Sequence, residues 1–502
     1  MTRKTKLLLN SASSLIYQIT AIICGFILPR FFLAYFGSAV NGLVSSITQF
    51  LGFISLAECG VGAVVQSTLY KPLAEQDMVA VSKIVKSSER FFRRIACLLL
   101  GYTAVLMLVY PLITIDSFDY LFTLVLIFVI SISSFAQYYL GMTYKLLLTA
   151  DQLGFIQYTI HILALILNAV CCIVLMQCGA SVQTVKLVSS LIFILQPVML
   201  SVIAKKRYIL DRKIKLTEEP IKQKWNGLAQ HIATVVLVNT DTVVLTLLST
   251  LENVSVYAVY HLVVNGVKQL ILSMTNGMQA MLGNMLAKKE MEVLTQTFDR
   301  MEWLLHTVVT FVFSVTALLI VPFVRVYTAD ITDADYVVPV FAALITLAQA
   351  SYCYRLPYNI MVLAAGHYKQ TQWSAILEAA INVVTSVVLV FHYGLIGVAI
   401  GTFAAMAYRT VYLAIYLKNH ILHRELRHFL KHLVVDVCGT ALLFIWVRMF
   451  PVFYAMEQVS YYAWFVLAVK VALTGITAML AVNCLFYWST VKHFLARMGK
   501  VQ

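Results

Sequence analysis

The feature that most restricts this chain is its succession of apolar runs, each about twenty residues or longer, separated by short polar turns. A helix needs about twenty apolar residues to cross the hydrocarbon of a bilayer, whereas a barrel strand needs about ten alternating ones. The runs here do not alternate. Hydrophobic residues make up 61% of the 502 and charged residues only 12%, too little polar surface to dissolve a globular domain. With no water to satisfy it, a backbone inside the bilayer must satisfy itself, so the expected fold class is all-α and polytopic.

Fourteen spans are expected, at about 8–36, 40–68, 93–114, 119–146, 153–177, 182–204, 225–249, 254–286, 303–326, 336–364, 370–392, 395–417, 432–450 and 460–487. Only Phe36, Gly37 and Ser38 separate the first two. The basic start of the chain resembles a signal peptide, but the apolar stretch runs on to Phe36 with no small-residue cleavage site, so it is expected to stay as the first span. Cysteines lie almost entirely within the apolar runs, in neither a disulfide framework nor a metal-binding spacing.

One stretch divides the chain. Lys205–Lys224 carries eight Lys and Arg near the middle of the sequence and reads as a cytoplasmic connector. Basic residues gather in the cytoplasmic loops of membrane proteins, and with the N-terminus inside, the inner loops and tails hold 29 of the 37 Lys and Arg, for a balance of +17. The outer loops come to −4. The basic character thus reflects topology, with both termini cytoplasmic, and does not point to nucleic acid.

Three pairs of residues repeat at nearly one offset: Tyr144 with Tyr358 and Asn168 with Asn382 at 214, and Asn10 with Asn226 at 216. They suggest two six-span halves of the same orientation followed by an extra pair. The expected parts are residues 1–204 (first lobe), 205–224 (connector), 225–418 (second lobe) and 419–502 (accessory helices and tail). Parallel repeats of this kind place a substrate between lobes that rock about it.

The segment PRFFLAYFGSAVNGLVSSITQFLGFISLAECGVGAVVQSTLYKPLAEQD (29–77) resembles the opening of the bacterial polysaccharide transporters, the Wzx-type lipid-linked oligosaccharide flippases. NTDTVVLTLLSTLENVSVYAVYHLVVN (239–265) and AAGHYKQTQWSAILEAAINVVTSVVLVFHYGLIGVAIGTFAAMAYRT (364–410) are similar to the same family. The superfamily also contains lipid II flippases and multidrug extruders. The resemblance implies a V-shaped fold of two six-helix lobes and two accessory helices around a central cavity that opens to either side in turn. It further implies transport of an undecaprenyl pyrophosphate-linked sugar unit across the cytoplasmic membrane, with cavity Arg or Lys meeting the pyrophosphate.

A charge at a helix centre costs about 2.5–3.5 kcal/mol on insertion scales, so it is usually paired or faces a wet cavity. The expected substrate-binding residues are Arg30, Arg355 and Arg409, whose guanidiniums match phosphate oxygens bidentately, together with Lys268 inside its span. Arg30 alternatively snorkels to the headgroups. Glu58, Asp241, Glu378, Asn239 and Gln269 are expected as coupling or cavity groups. Each has a plainer reading: Glu58 in an interhelix salt bridge, Asp241 paired with Lys268, Glu378 neutralising Arg355 or Arg409. Asp436, near the inner end of its span, is expected to reach water, and Lys470 to have a structural partner.

No nucleotide-binding loop, dinucleotide fingerprint or other cofactor motif occurs. Energy is therefore expected from an ion gradient, the membrane potential or consumption of product, with a proton or sodium ion as coupling partner. Membrane lipids and polysaccharide-assembly proteins are the other expected partners. A cation-coupled drug extruder would favour a more acidic interior. A membrane-embedded polymerase or glycosyltransferase would need a catalytic outer loop, and Asp330, Asp333 and Asp335 lack a supporting base. The charge bias predicts that Thr217→Cys resists an impermeant thiol reagent in sealed cells lacking the native cysteines. Thr332→Cys reacts; labelling of Thr217→Cys from outside overturns the topology.

Overall fold

The computed structural model describes residues 3–58, 60–211, 214, 228–275, 277–456, 458–488 and 492. Every regular element among them is helical. Most of the connector, including Thr217, and Asn226 of the third repeated pair lie outside the described residues. Eleven helices are long and apolar enough to cross a membrane. The chain forms two compact units, Met1–Val243 and Val244–Gln502.

The first unit contains α1 (Arg3–Gly52), α2 (Val61–Ala74), α3 (Met78–Ile113), α4 (Tyr120–Ala136), α5 (Met142–Ala150), α6 (Gly154–Gln177), α7 (Val182–Arg207) and most of α8 (Leu228–Leu248). The second contains α9 (Leu251–Met274), α10 (Met278–Ala287), α11 (Met291–Tyr327), α12 (Pro339–Tyr354), α13 (Leu356–Ala364), α14 (Tyr368–Tyr393), α15 (Leu395–His420), α16 (Arg427–Met449) and α17 (Tyr461–Phe486).

Several spans differ from their smooth sequence outline. α1 runs through the first two, but Gly37 breaks it at φ 78°, ψ 176°, a region essentially closed to residues with a Cβ. The second span is then interrupted by a 3₁₀ turn over Phe53–Glu58 before α2 resumes. A π-helical turn, Gln137–Gly141, joins α4 to α5 and presses on α7, where a Cβ on Gly141 would lie 2.6 Å from Pro197 Cβ. The eighth span divides into α9 and α10 beside left-handed Gly277 (φ 84°). The tenth divides at Arg355, just before Pro357, whose missing N–H weakens the ladder. Such irregular backbone survives at membrane depth only where protein or water takes up its polar groups. Here Ser55 Oγ donates to the Gly52 carbonyl (2.8 Å), and the His231 ring lies 2.8 Å from the Ser55 carbonyl. α3 and α11 also start three to four turns before their apolar runs, at Met78 and Met291.

The repeat is visible element by element. α5 (142–150) recurs as α13 (356–364) 214 residues later at both ends, and α7 (182–207) as α15 (395–420) 213 later. Left-handed residues recur before equivalent helices: Gln76 and Lys289 before α3 and α11, Gln152 and Gly366 before α6 and α14. Even side-chain bonds repeat, since Tyr144 donates to Glu89 and Tyr358 to Glu302. Asn10 explains its own place by bonding across the α5–α6 turn, donating to the Gln152 carbonyl (2.9 Å) and accepting from Phe155 N–H (2.7 Å).

α14 and α15 form a close antiparallel pair, with Gly397, Gly401 and Ala405 spaced along the buried side of α15. Small residues at this spacing let helices approach backbone to backbone. A Cβ on Gly401 would sit 2.3 Å from Ser386 Oγ and 2.8 Å from Ser386 N. Gly401→Ala is therefore expected to destabilise the protein by about 1–3 kcal/mol, read as a lower Tm. Gly101→Ala in α3, where nothing lies within 4 Å, leaves the Tm unchanged.

Candidate functional site

In the second unit, two arginines from different elements contact one carboxylate, and a lysine from a third lies near them. Arg355, at the α12–α13 junction, pairs through Nη1 with Glu378 Oε1. Arg409, on α15, approaches Glu378 Oε2 through Nε at 4.0 Å and donates from Nη1 to Ser374 Oγ (2.6 Å) and the Thr371 carbonyl (3.2 Å). Glu378 thus neutralises both arginines at once. All three are buried, at 9%, 3% and 5% exposure. Tyr352 extends the cluster, for the Arg355 guanidinium stacks 4.2 Å from its ring centroid and the Lys268 ammonium lies 5.1 Å from it. Cation–π contact holds positive charge against the ring face without neutralising it, so among the described residues of the cluster three cations accompany one carboxylate. Gln269, next to Lys268, is exposed and outside the cluster.

In the first unit, Glu58 ends the 3₁₀ turn and accepts a hydrogen bond from the Tyr138 hydroxyl in the π turn. Two helix irregularities thus meet through one carboxylate and one phenol, and single π turns are frequent at functional sites. Asn239 donates to the Val235 carbonyl of its own helix (2.7 Å) and packs on Gly52, whose added Cβ would lie 3.0 Å from Asn239 Oδ1. Asp241 is buried in α8 at 2% exposure. Arg30 is half-buried in α1, following Pro29.

Sequence reasoning missed a second polar centre. Glu302, fully buried on α11, accepts from Tyr358 (2.6 Å), pairs with Arg424 and lies 3.4 Å from His432 Nε2. One turn on, His306 Nδ1 lies 2.6 Å from Asp436 Oδ2, and Thr310 donates to Asp436 Oδ1 (2.6 Å). Asp436 therefore does not reach water but is 5% exposed, because α16 packs against α11 and turns it inward. Beside it, a cavity of about 460 Å³ has His306, Tyr354 and Asp436 among mainly apolar walls. The available signal was two ionisable pairs at i, i+4 spacing, Glu302 with His306 and His432 with Asp436, each on one helix face. Lys470 donates to the Phe453 carbonyl at 2.9 Å, a structural contact.

These elements define a polytopic all-helical fold with ionisable groups held inside it. In particular, it is similar to the solved structure "Lipid II flippase MurJ, inward closed conformation", with TM-score 0.71 and 14% identity, covering 96% of this chain and 100% of that one. It is also similar to "Inward-facing conformation of a multidrug resistance MATE family transporter of the MOP superfamily", with TM-score 0.53 and 16% identity, over 83% of this chain and 95% of that one. At such identities the likeness is one of fold. No family model matches the chain, and no curated protein matches it.

Removing one member of a buried ion cluster strands the rest without compensation, at a cost of about 3–5 kcal/mol. Glu378→Gln is expected to lower the Tm of the detergent-purified protein sharply. Adding Arg355→Met to that variant recovers part of the loss, since one stranded cation goes with the anion.

Proposed function

We propose that this protein is a flippase that moves undecaprenyl pyrophosphate-linked oligosaccharide across the bacterial cytoplasmic membrane by alternating access, supplying units for cell-surface polysaccharide. The observation that carries this reading is the excess of positive charge around buried Glu378. A pyrophosphate entering a low-dielectric region needs compensating cations, and Lys268, Arg355 and Arg409 offer three to one internal carboxylate. Substrate phosphate competes with Glu378 for the two guanidiniums, and Glu378 takes them back when the substrate leaves. Supporting the reading are the family resemblance of segments 29–77, 239–265 and 364–410 and the fold shared with a protein titled a lipid II flippase.

In this reading residues 1–204 and 225–418 are the two lobes, 205–224 the connector and 419–502 the accessory helices with the tail. Arg30 is a further substrate-binding residue in this reading, and Asn239, Asp241 and Gln269 are coupling or cavity groups. Glu58 is the coupling group. Its bond to Tyr138 joins two interrupted helices, so gain or loss of a proton at the carboxylate biases one access state against the other.

The test is deletion of the gene followed by chemical identification of the lipid-linked sugar that builds up on the inner leaflet. Wild-type protein is expected to restore export, whereas Glu58→Gln reaches normal abundance and does not. Heightened sensitivity to cationic drugs with no sugar build-up favours an extruder. Unchanged export by Glu58→Gln from about pH 6 to 8 removes Glu58 from the coupling role.

A further inference from the structure

One face of α3 lines an open cleft of about 1200 Å³ within the first unit. At one end Lys86, Arg90, Arg93, Arg94 and Lys205 meet two carboxylates among the described residues, Glu89 and Asp211. Glu89 is already engaged, accepting from Tyr144 and lying 3.8 Å from Arg93. Arg90 and Arg94 are exposed and have no ion-pair partner among the described residues. Further along α3 the wall becomes apolar, with Leu98, Gly101 and Val105 exposed. From Arg94 to Val105 the helix rises about 16 Å, close to the roughly 15 Å of hydrocarbon in one leaflet. A cationic end followed by one leaflet's depth of apolar groove is the complement of a phosphate-headed lipid.

The internal repeat offers an independent comparison. Residues 213 later, on the equivalent face of α11, are covered by α16 and α17. Trp303, in the place of Arg90, donates to Asn483 (2.8 Å), and His306, in the place of Arg93, contacts Asp436 (2.6 Å). Thr310, matching Cys97, donates to Asp436 as well, and Ser314, matching Gly101, lies 2.8 Å from Thr440. Phe311, matching Leu98, packs on α17 so closely that a Cβ on Gly475 would lie 3.0 Å from its ring. Glu302, matching Glu89, is reached by Arg424 from the segment leading into α16. Two helices therefore cover on α11 the surface that stays open on α3.

We infer that the α3 groove binds a membrane phospholipid with an anionic headgroup, which takes on the first unit the place that α16 and α17 take on the second. Arg90, Arg93 and Arg94 hold the phosphate, and an acyl chain lies along Leu98, Gly101 and Val105. Guanidinium groups bind phosphate oxygens through paired, charge-assisted hydrogen bonds. A transmembrane helix from another protein fits less well, because it would have to bring carboxylates for each arginine it buried. The site is separate from the Glu378 cluster and does not depend on the transport reading.

The test is native mass spectrometry of the full-length protein in detergent, titrated in parallel with phosphatidylglycerol, phosphatidylcholine and undecaprenyl diphosphate. Wild-type protein is expected to hold one phosphatidylglycerol about tenfold more tightly than phosphatidylcholine, a difference of about 1.4 kcal/mol. Arg90→Gln with Arg94→Gln abolishes that preference, while Lys288→Gln with Lys289→Gln, an equal charge loss elsewhere, keeps it. Gly101→Leu obstructs the chain's path without touching a cation, and weakens both phospholipids. Equal retention of the two phospholipids by wild-type protein overturns the inference, as does unchanged selectivity in the double arginine variant. Binding of undecaprenyl diphosphate alone assigns the groove to another lipid. Loss of a co-purifying membrane protein with lipid binding unchanged assigns it to a partner helix.

Discussion

Charge held at membrane depth has to be answered by the protein itself, and this single requirement shapes the interior. Glu378 answers two arginines from different helices, so α14 is tied both to the α12–α13 junction and to α15. Glu302 does the same for α11, joining it to α13 through Tyr358 and to the approach to α16 through Arg424. These bonds cost most of their Coulomb energy in desolvation. Their value lies in specifying which helices are neighbours. Any rearrangement must carry such a cluster as one body or exchange one of its partners for another.

The two halves of the repeat meet that requirement differently. Glu89 and Glu302 occupy equivalent positions and accept from equivalent tyrosines, yet Glu89 borders an open cleft while Glu302 is fully buried. The difference is the accessory pair, which encloses the α11 face and turns a set of interfacial side chains into a buried polar network. A duplicated scaffold has thereby acquired two chemically distinct surfaces from one helix plan.

Much of the architecture was legible because the bilayer allows so few solutions: apolar length alone located the helices, and Phe36–Ser38 marked the break that Gly37 makes. The interruptions at Phe53–Glu58, at Gly277 and at the π turn were not legible, since apolar content continues through them and periodicity over a few residues cannot report a changed hydrogen-bond ladder. Arg355, Glu378 and Arg409 stood out as charges in apolar runs. Glu302 and Arg90 did not, because α3 and α11 remain helical for three to four turns before the apolar run begins, and residues there look like loop. Asp436 was misjudged for a related reason: its depth along the helix suggested water, but its burial is set by contacts with a segment over a hundred residues away.

The order in which partners appear also matters for how the chain is made. α1 packs chiefly on α6, and Lys6 reaches Asp151 (3.0 Å) just before that helix begins. More than a hundred residues separate them, so at about 5–20 residues per second the ribosome needs on the order of ten seconds to deliver the helix that completes the first. During that interval α1 stands in the membrane with Pro29, Arg30 and its polar early turns uncovered. Until α6 arrives, its neighbours there can only be lipid, the insertion machinery or the helices made in between.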